Sequence, residues 1–218
     1  AHDLRAPLGA IDGFGDALER KLEGRLTEPE RHYLNRIRAA SRNMGEMIEA
    51  LLELARLSRS ALQVGTLDLG AMARSILDDL HAADPAREVA VHVQPGMQVH
   101  GDRRLLRMAL NNLLSNAWKF SAKKDWALIE VGCTQGPQGR VFFVRDNGAG
   151  FDMAYASRLF HPFQRLHGQS EFAGHGIGLA HVARIVALHG GRVWAEADAG
   201  MGATFFFTLD EGPAPQFA

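Results

Sequence analysis

Cysteine, long apolar runs and an excess of charge of one sign are scarce or missing in this sequence of 218 residues. Its one cysteine, Cys133, cannot form a disulfide within the chain. No stretch approaches the roughly 18 consecutive apolar residues of a membrane span. Lysine and arginine number 24 against 25 for aspartate and glutamate, so no global field attracts nucleic acid or anionic lipid. We therefore expect a soluble, cytoplasmic protein with no membrane span in this chain and no nucleic-acid partner.

Apolar residues make up 46% of the chain, which is enough for a buried core. The apolar periodicity changes after Ser60, and the chain starts at Ala1 without an initiator methionine. We therefore expect a fragment of a longer protein that contains two modules. The predicted division is a helical hairpin over 1–61, a mixed domain over 62–210 and a disordered tail over 211–218.

The first sixty residues have the apolar spacing of two helices. Between Leu4 and Leu22 the apolar positions recur at alternating steps of four and three. Gly24 interrupts the pattern, and Thr27 followed by Glu30 predicts the capped start of a second helix. A hairpin with one continuous apolar seam is normally completed by a second copy, so we predict a four-helix bundle formed by a homodimer. The alternative is that the hairpin caps the rest of the chain.

Helix and strand patterns alternate in the second module, after a short linker. We predict helices over 70–83, 103–120 and 177–189. We predict strands over 88–94, 127–134, 140–145, 192–197 and 203–209, with the second and third joined in a hairpin by a glycine-rich turn. The fold class is therefore α+β.

Two glycine-rich motifs in this module suit a nucleotide. Asp146 ends a predicted strand and could accept a hydrogen bond from an adenine amino group, while Gly148 and Gly150 let the backbone approach a ligand. Taken alone, this motif is equally well explained as an acidic turn. A second group, Gly174, Gly176 and Gly178, precedes a helix whose first amide groups suit phosphate. Its spacing matches neither a P-loop nor a dinucleotide fingerprint.

A third motif lies on the helix predicted over 103–120. Asn112, Asn116 and Lys119 share one face because they are four and three residues apart. The Asn116 oxygen could ligate Mg²⁺, Lys119 could balance phosphate charge, and Phe120 could pack against a base. Composition alone equally allows a solvated helix face. Taken together, the three motifs predict a site for ATP and Mg²⁺.

The order of these motifs resembles the sensor histidine kinases of two-component systems across nearly the whole chain. The resemblance implies that the second module is an α/β-sandwich ATP-binding domain of the Bergerat type, shared with type II topoisomerases and Hsp90-like chaperones. The amino-acid sequence around Phe163 is similar to that of kinases that follow phytochrome or PAS sensory domains. The nucleotide-binding residues implied are Asn112, Asn116, Lys119, Phe120, Asp146, Gly148, Gly150, Phe160, Phe163, Arg165, Gly174, Gly176, Gly178, Leu179 and Thr204.

The resemblance also implies that His2 is the phosphorylated residue, with Asp3 beside it. Hydrolytic relatives carry a water-activating glutamate where this chain has Asn112, and an amide is a poor general base. Much of a free imidazole is neutral at pH 7 and has a lone pair available, and Asp3 could stabilise the positive ring formed on attack. The other histidines, beyond residue 80, lack metal-ligand spacing and are expected at the surface or in the core.

The implied function is therefore ATP-dependent autophosphorylation of His2, followed by transfer to an aspartate in the receiver domain of a response regulator. An upstream sensor domain in the same full-length chain would control it. Two alternatives stay open at this point. One is an ATPase or a serine/threonine kinase built on the same nucleotide fold, and the other is a dimeric signalling scaffold without catalysis.

Overall fold

The computed structural model describes residues 2–57, 62–137, 139–164 and 176–210. Its contacts divide the chain into two compact units, Ala1–Ser60 and Ala61–Ala218. The described residues of the first unit form only helices, and all the described strands lie in the second unit together with further helices. No helix in the described ranges combines the length and apolarity needed to cross a bilayer.

The first unit is a hairpin of α1 (His2–Lys21) and α2 (Glu28–Leu57). The predicted start of α2 is confirmed by its cap. The Glu30 carboxylate accepts hydrogen bonds from the Thr27 backbone N–H at 2.8 Å and from the Thr27 hydroxyl at 2.7 Å. These two bonds lower the pKa of Glu30 below its ordinary value. Local sequence therefore fixes where the second helix begins.

Only part of the predicted apolar seam lies buried between α1 and α2 of one chain. Its buried members include Gly15, Leu34 and Ser41. The Ser41 hydroxyl donates to the Leu8 backbone oxygen at 2.8 Å, so a polar contact lies inside the hairpin. Four members of the predicted seam are instead 44–55% exposed, namely Ile11, Leu18, Ile37 and Met44.

The second unit contains a five-stranded sheet and a separate two-stranded one. The order of the larger sheet is β2-β4-β5-β7-β6, with β2 parallel to β4 and all other pairs antiparallel. The elements of the unit are β1 (Val64–Asp68), α3 (Leu69–Ala83), β2 (Val89–Val93), β3 (Gln98–Asp102), α4 (Arg103–Phe120), β4 (Ala127–Gly136), β5 (Gly139–Asp146), a 3₁₀ helix (Met153–Arg158), α5 (Gly178–Leu188), β6 (Val193–Asp198) and β7 (Gly202–Phe207).

The central helix of this unit is α4, which contacts α3, α5 and β5. Its start is fixed by Asp102, whose carboxylate accepts hydrogen bonds from the backbone N–H groups of Arg104 and Leu105. Apolar side chains recurring at three- and four-residue steps then bury one face of the helix, including Leu106, Leu110, Leu113, Leu114 and Ala117. This packing holds the opposite, polar part of α4 in place.

Two strands were not predicted. The segment assigned to a short linker contains β1, which pairs antiparallel with β3 from Val64 opposite Asp102 to Asp68 opposite Gln98. Both strands are short, and neither shows a regular apolar alternation. The 3₁₀ helix at Met153–Arg158 was also missed.

Candidate nucleotide site

The C-terminal end of α4 lies directly against the acidic glycine-rich loop. The backbone oxygen of Phe120 accepts a hydrogen bond from the Ala149 N–H at 3.1 Å. A β-carbon on Gly148 would come within 2.6 Å of that same oxygen, so only glycine fits there. The structure therefore brings together two motifs that are 26 residues or more apart in the sequence, since the loop begins at Asp146 and α4 ends at Phe120.

Asp146 is the buried acid of this loop. Its side chain is 5% exposed, and one carboxylate oxygen accepts the Gly148 N–H at 2.8 Å. Burial raises the pKa of Asp146 to about 6, against the opposing effect of hydrogen bonds from the N–H groups of Gly148 and Ala203. A buried carboxylate with few donors gains stability from any further donor, and the amino group of a purine is such a donor.

Two further glycines let the loop pack tightly against the turn between β6 and β7. Gly150 has a φ of 58°, and a β-carbon there would lie 2.0 Å from the Asp198 backbone oxygen. Gly202 has a φ of 103°, and a β-carbon there would lie 2.0 Å from the Asp146 backbone oxygen. Neither position can hold a larger residue without moving the backbone that carries Asp146.

Asn147, which the sequence reasoning did not select, anchors the same loop. Its side-chain oxygen accepts the Leu128 N–H at 2.9 Å, and its side-chain nitrogen donates to the Trp126 oxygen at 2.7 Å. The carboxamide therefore extends the backbone pairing of β4 and β5 past the end of the ladder. The sequence signal that could have identified Asn147 is its carboxamide, because this group offers both a hydrogen-bond donor and an acceptor on a side chain of this length.

The start of α5 meets the middle of α4. A β-carbon on Gly178 would lie 2.6 Å from the Asn112 side-chain oxygen, and the Asn112 nitrogen donates to the Met108 oxygen at 3.0 Å. The residue that precedes α5, Ile177, provides no side-chain cap. The first amide groups of α5 are therefore left for another acceptor, which is the arrangement that binds phosphate. Leu179 follows in this first turn and is half-buried.

Three of the predicted residues lie near the C-terminal end of α4. Asn116, Lys119 and Phe120 are all half-buried. The Lys119 ammonium nitrogen is 4.1 Å from the centroid of the Phe120 ring, which is a cation–π contact. This places a positive charge and an aromatic face together beside the acidic loop.

The donor set fits Mg²⁺ only as an ion shared with a phosphate ligand. Within the described ranges no three histidine, cysteine, aspartate or glutamate residues form a group that could hold a metal. The amide oxygen of Asn116 is a hard ligand of the kind that Mg²⁺ accepts. Because Mg²⁺ usually keeps water and phosphate ligands, one protein ligand suits it when a nucleotide supplies the others.

Phe163 lies at the end of the described segment that follows the 3₁₀ helix. It has a φ of 66°, its N–H donates to the Gly176 oxygen at 2.9 Å, and its side chain is 41% exposed. Phe160 is half-buried. Two predicted residues, Arg165 and Gly174, lie outside the described residues.

Thr204 does not join the other predicted residues. In the ladder between β5 and β7, Asp146 is paired with Ala203 and Arg145 with Thr204. Successive side chains of a strand point to opposite faces, so the Thr204 and Asp146 side chains lie on opposite faces of the sheet. The Thr204 hydroxyl accepts instead from Arg145 Nε at 3.2 Å. The predicted contact between Thr204 and a nucleotide therefore finds no support in this geometry.

His2 and Asp3 are the first described residues of the chain and begin α1 in the helical unit. Their side chains lie outside the described parts of the structure. Their roles therefore stay predictions.

Two protein-family models match the chain. The model described as histidine kinase-, DNA gyrase B- and HSP90-like ATPase matches residues 101–213. The model of the His Kinase A phospho-acceptor domain matches residues 1–60. Both matches agree with the two units seen in the structure, one helical and one containing the sheet.

Curated relatives and solved structures show the same likeness. The chain is 32% identical over 215 residues to cyanobacterial phytochrome B of Nostoc sp., covering 97% of this chain and 28% of that protein. It is 34% identical over 210 residues to the methanogenesis regulatory histidine kinase FilI of Methanothrix harundinacea, covering 96% and 24%. This chain thus spans only about a quarter of those two proteins.

Among solved structures, full-length ShkA in complex with AMPPNP matches with a TM-score of 0.64 at 25% identity, covering 97% of this chain and 45% of that one. The Acinetobacter baumannii histidine kinase AdeS shares the fold with a TM-score of 0.61 at 20% identity, covering 97% and 98%. Together with the two family models, these likenesses show that the chain belongs to the sensor histidine kinases of two-component systems and carries their phospho-acceptor hairpin and ATP-binding domain.

Proposed function

We propose that this chain binds ATP between α4, α5 and the Asp146 loop and transfers the γ-phosphoryl group to His2. The observation that carries the proposal is the convergence of a buried carboxylate, an uncapped helix start and a lysine within one compact unit. Asp146 would accept from the adenine amino group, and the first amides of α5 would bind phosphate. Lys119 would balance the phosphate charge.

The proposed transfer is an in-line displacement at the γ-phosphorus. A neutral ring nitrogen of His2 supplies the electron pair for the new N–P bond, and the bond to the β–γ bridging oxygen breaks to release ADP. The ring becomes positive as the bond forms and then loses its N–H proton to water. Asp3 would stabilise that positive ring, in the manner of carboxylates beside other reactive histidines. Mg²⁺, held in part by Asn116, would neutralise charge on the phosphates.

Asn112 supports transfer to histidine rather than to water. Its carboxamide nitrogen donates to the Met108 oxygen and its oxygen abuts Gly178, so the side chain is held in place. An amide has no proton-accepting group suited to activating water. Of the two possible acceptors of the phosphoryl group, water and the His2 imidazole, the imidazole is therefore favoured, because it needs no general base.

We further propose that two copies of the chain form a homodimer through α1 and α2. The exposed apolar side chains of Ile11, Leu18, Ile37 and Met44 would be covered in a four-helix bundle. From the phosphorylated His2 the group would pass to an aspartate of a response regulator receiver domain. Because the chain spans about a quarter of two of its relatives, an upstream sensor domain would belong to the same full-length protein. ATP and the receiver domain would place the reaction in the cytoplasm.

Labelling with γ-labelled ATP tests the proposal. Wild type should acquire a label that is stable to base and lost in acid, and His2→Gln should acquire none. His32→Gln is the matched control, because His32 is an exposed histidine on α2 of the same hairpin and should label normally. An acid-stable label would indicate a serine/threonine kinase, and undiminished ATP consumption by His2→Gln would indicate an ATPase. Failure of wild type to bind ATP would leave only the scaffold.

A further inference from the structure

An α-helix provides no hydrogen-bond donors of its own for its last four carbonyl oxygens, which in α4 belong to Ala117, Trp118, Lys119 and Phe120. Each has one in this structure, and the partners come from three separate parts of the chain. The bonds run from the Ser121 hydroxyl to the Ala117 oxygen at 2.6 Å, from Arg87 Nη1 to the Trp118 oxygen at 2.5 Å, from the Ala122 N–H to the Lys119 oxygen at 3.2 Å, and from the Ala149 N–H to the Phe120 oxygen at 3.1 Å.

Arg87 is the one side chain in this set that reaches α4 from a distant element. It lies between α3 and β2, 31 residues before Trp118. Its second terminal nitrogen donates to the Ser121 hydroxyl at 2.9 Å, and its guanidinium carbon is 4.8 Å from the centroid of the Trp118 ring. The Ser121 side chain is fully buried and Trp118 is 8% exposed. One guanidinium therefore fixes a carbonyl, a hydroxyl and an aromatic face of the final turn.

The charge of Arg87 is suited to this position. Burial lowers its pKa from the ordinary value, while the nearby Asp84 carboxylate opposes that shift. An arginine stays protonated after such a decrease because its ordinary pKa is far above neutrality. A cation at the C-terminal end of a helix is stabilised by the helix dipole. The guanidinium thus acts as a charged C-cap.

We propose that Arg87 is a positioning residue for nucleotide binding, an inference that rests on the proposed function. It does not touch the ligand. It holds the final turn of α4, which carries Lys119 and Phe120 and whose last carbonyl binds Ala149 of the acidic loop. If this turn frays, the Phe120–Ala149 hydrogen bond and the close packing of Gly148 against Phe120 are lost together. Lys119 and Asp146 then lose their fixed relation, and part of the binding free energy of the nucleotide is used to restore it.

The proposal predicts a defect in binding and not in chemistry. Arg87→Met keeps much of the packing on Trp118 and removes the charge and both hydrogen bonds. In the full 218-residue chain, we expect AMPPNP to bind about tenfold more weakly, equivalent to about 1.4 kcal/mol. The KM for ATP in autophosphorylation should rise by a similar factor, while kcat at saturating ATP should stay close to wild type.

Two arginines serve as matched controls. Arg74 donates to the Val93 backbone oxygen at 3.1 Å, and Arg192 lies 4.8 Å from the centroid of the Trp194 ring. Each reproduces one part of the Arg87 contact at a place away from α4's final turn. Arg74→Met and Arg192→Met should therefore bind AMPPNP like wild type.

Arg87→Lys keeps the positive charge and tests whether the two hydrogen bonds of the planar guanidinium are required. It also tests the proposal if Arg87→Met does not fold. Lysine cannot span the Trp118 oxygen and the Ser121 hydroxyl as a planar fork, so we expect a smaller but measurable loss of AMPPNP affinity. Methylguanidinium added to folded Arg87→Ala should restore part of that affinity and should not change the controls. Wild-type affinity in both the Lys and Met variants would overturn the proposal. Failure of wild type to bind AMPPNP would instead overturn the proposed function.

Discussion

Gly178 at the start of α5 lies in direct contact with the side chain of Asn112 on α4. A β-carbon on Gly178 would come within 2.6 Å of the Asn112 oxygen. The Asn112 side chain cannot turn away freely, because its nitrogen donates to the Met108 oxygen at 3.0 Å. A single missing methyl group therefore sets how closely the phosphate-binding end of α5 approaches the polar face of α4.

Gly178→Ala should weaken nucleotide binding without destabilising the fold. Alanine is favoured over glycine in a helix by about 1 kcal/mol, which offsets the displacement of Asn112. We expect unchanged thermal stability and about tenfold weaker AMPPNP binding, measured by titration calorimetry. Gly65→Ala is the control, since a methyl group added there would have no neighbouring atom within 4 Å and the φ of Gly65 is not positive. Wild-type affinity in Gly178→Ala would contradict a role for this contact.

Burial of Asp146 should lower the free energy of unfolding of the protein at neutral pH, where this carboxyl group is ionised. Burial raises its pKa from 3.8 to about 6, so between these values the native state holds a proton that the unfolded state has released. Stability from this group is therefore present below about pH 4 and is lost as pH rises through about 6. At pH 7.5 the free energy of unfolding of Asp146→Asn should be about 1 to 2 kcal/mol higher than that of wild type. One pKa unit corresponds to about 1.4 kcal/mol, and a weakened hydrogen bond offsets part of this gain.

Urea titrations at several pH values measure this difference, which should shrink below about pH 6 and vanish near pH 4. The same variant should lose ATP affinity above about pH 6, where wild-type Asp146 is ionised, because the amide no longer presents a charged acceptor to the adenine amino group; this loss should shrink at lower pH. Asp125→Asn, which alters an exposed carboxylate, is the control and should change neither property. A pH-independent stability difference for Asp146→Asn would refute the assignment of the raised pKa to its burial.

Local sequence signals predicted α4 well because its apolar positions recur at three- and four-residue steps and its start is capped by the neighbouring Asp102. The helix was expected over 103–120 and runs from Arg103 to Phe120, with Asp102 capping the start. By contrast, β1 and β3 depend on each other across thirty residues or more, and neither has a strong pattern of its own. Strands of this kind are stabilised by pairing that a single segment does not encode.

The same distinction applies to the site. The glycines and Asp146 were recognised because close approach and buried charge require particular residue types. The position of Thr204 depended on the register between β5 and β7, where a shift of one residue exchanges the two faces of the sheet. Asn147 and Arg87 act through backbone groups of residues distant in sequence. Their contacts could not be inferred without the fold.

Arg38 on α2 connects three carboxylates of α1 inside the helical hairpin. Its Nε is 3.3 Å from Asp12, its Nη2 is 3.2 Å from Asp16, and its Nη1 donates to Glu19. The arginine side chain is 15% exposed. Its stem passes over Gly15, where a β-carbon would come within 2.7 Å of the Arg38 Cγ. The missing side chain at Gly15 therefore admits the arginine into the hairpin.

Arg38→Met should loosen the hairpin, because three carboxylates lose their shared cation and repel one another. Hydrogen exchange by mass spectrometry reads the α1 and α2 amides separately from the second unit, and we expect their protection to fall by about tenfold, or about 1.4 kcal/mol. Added salt should narrow the difference, because it screens that repulsion. Arg31→Met is the control, since Arg31 makes a single 2.9 Å ion pair with the exposed Glu28 and should change protection little. Equal protection in the two variants would show that the Arg38 cluster does not hold α1 against α2.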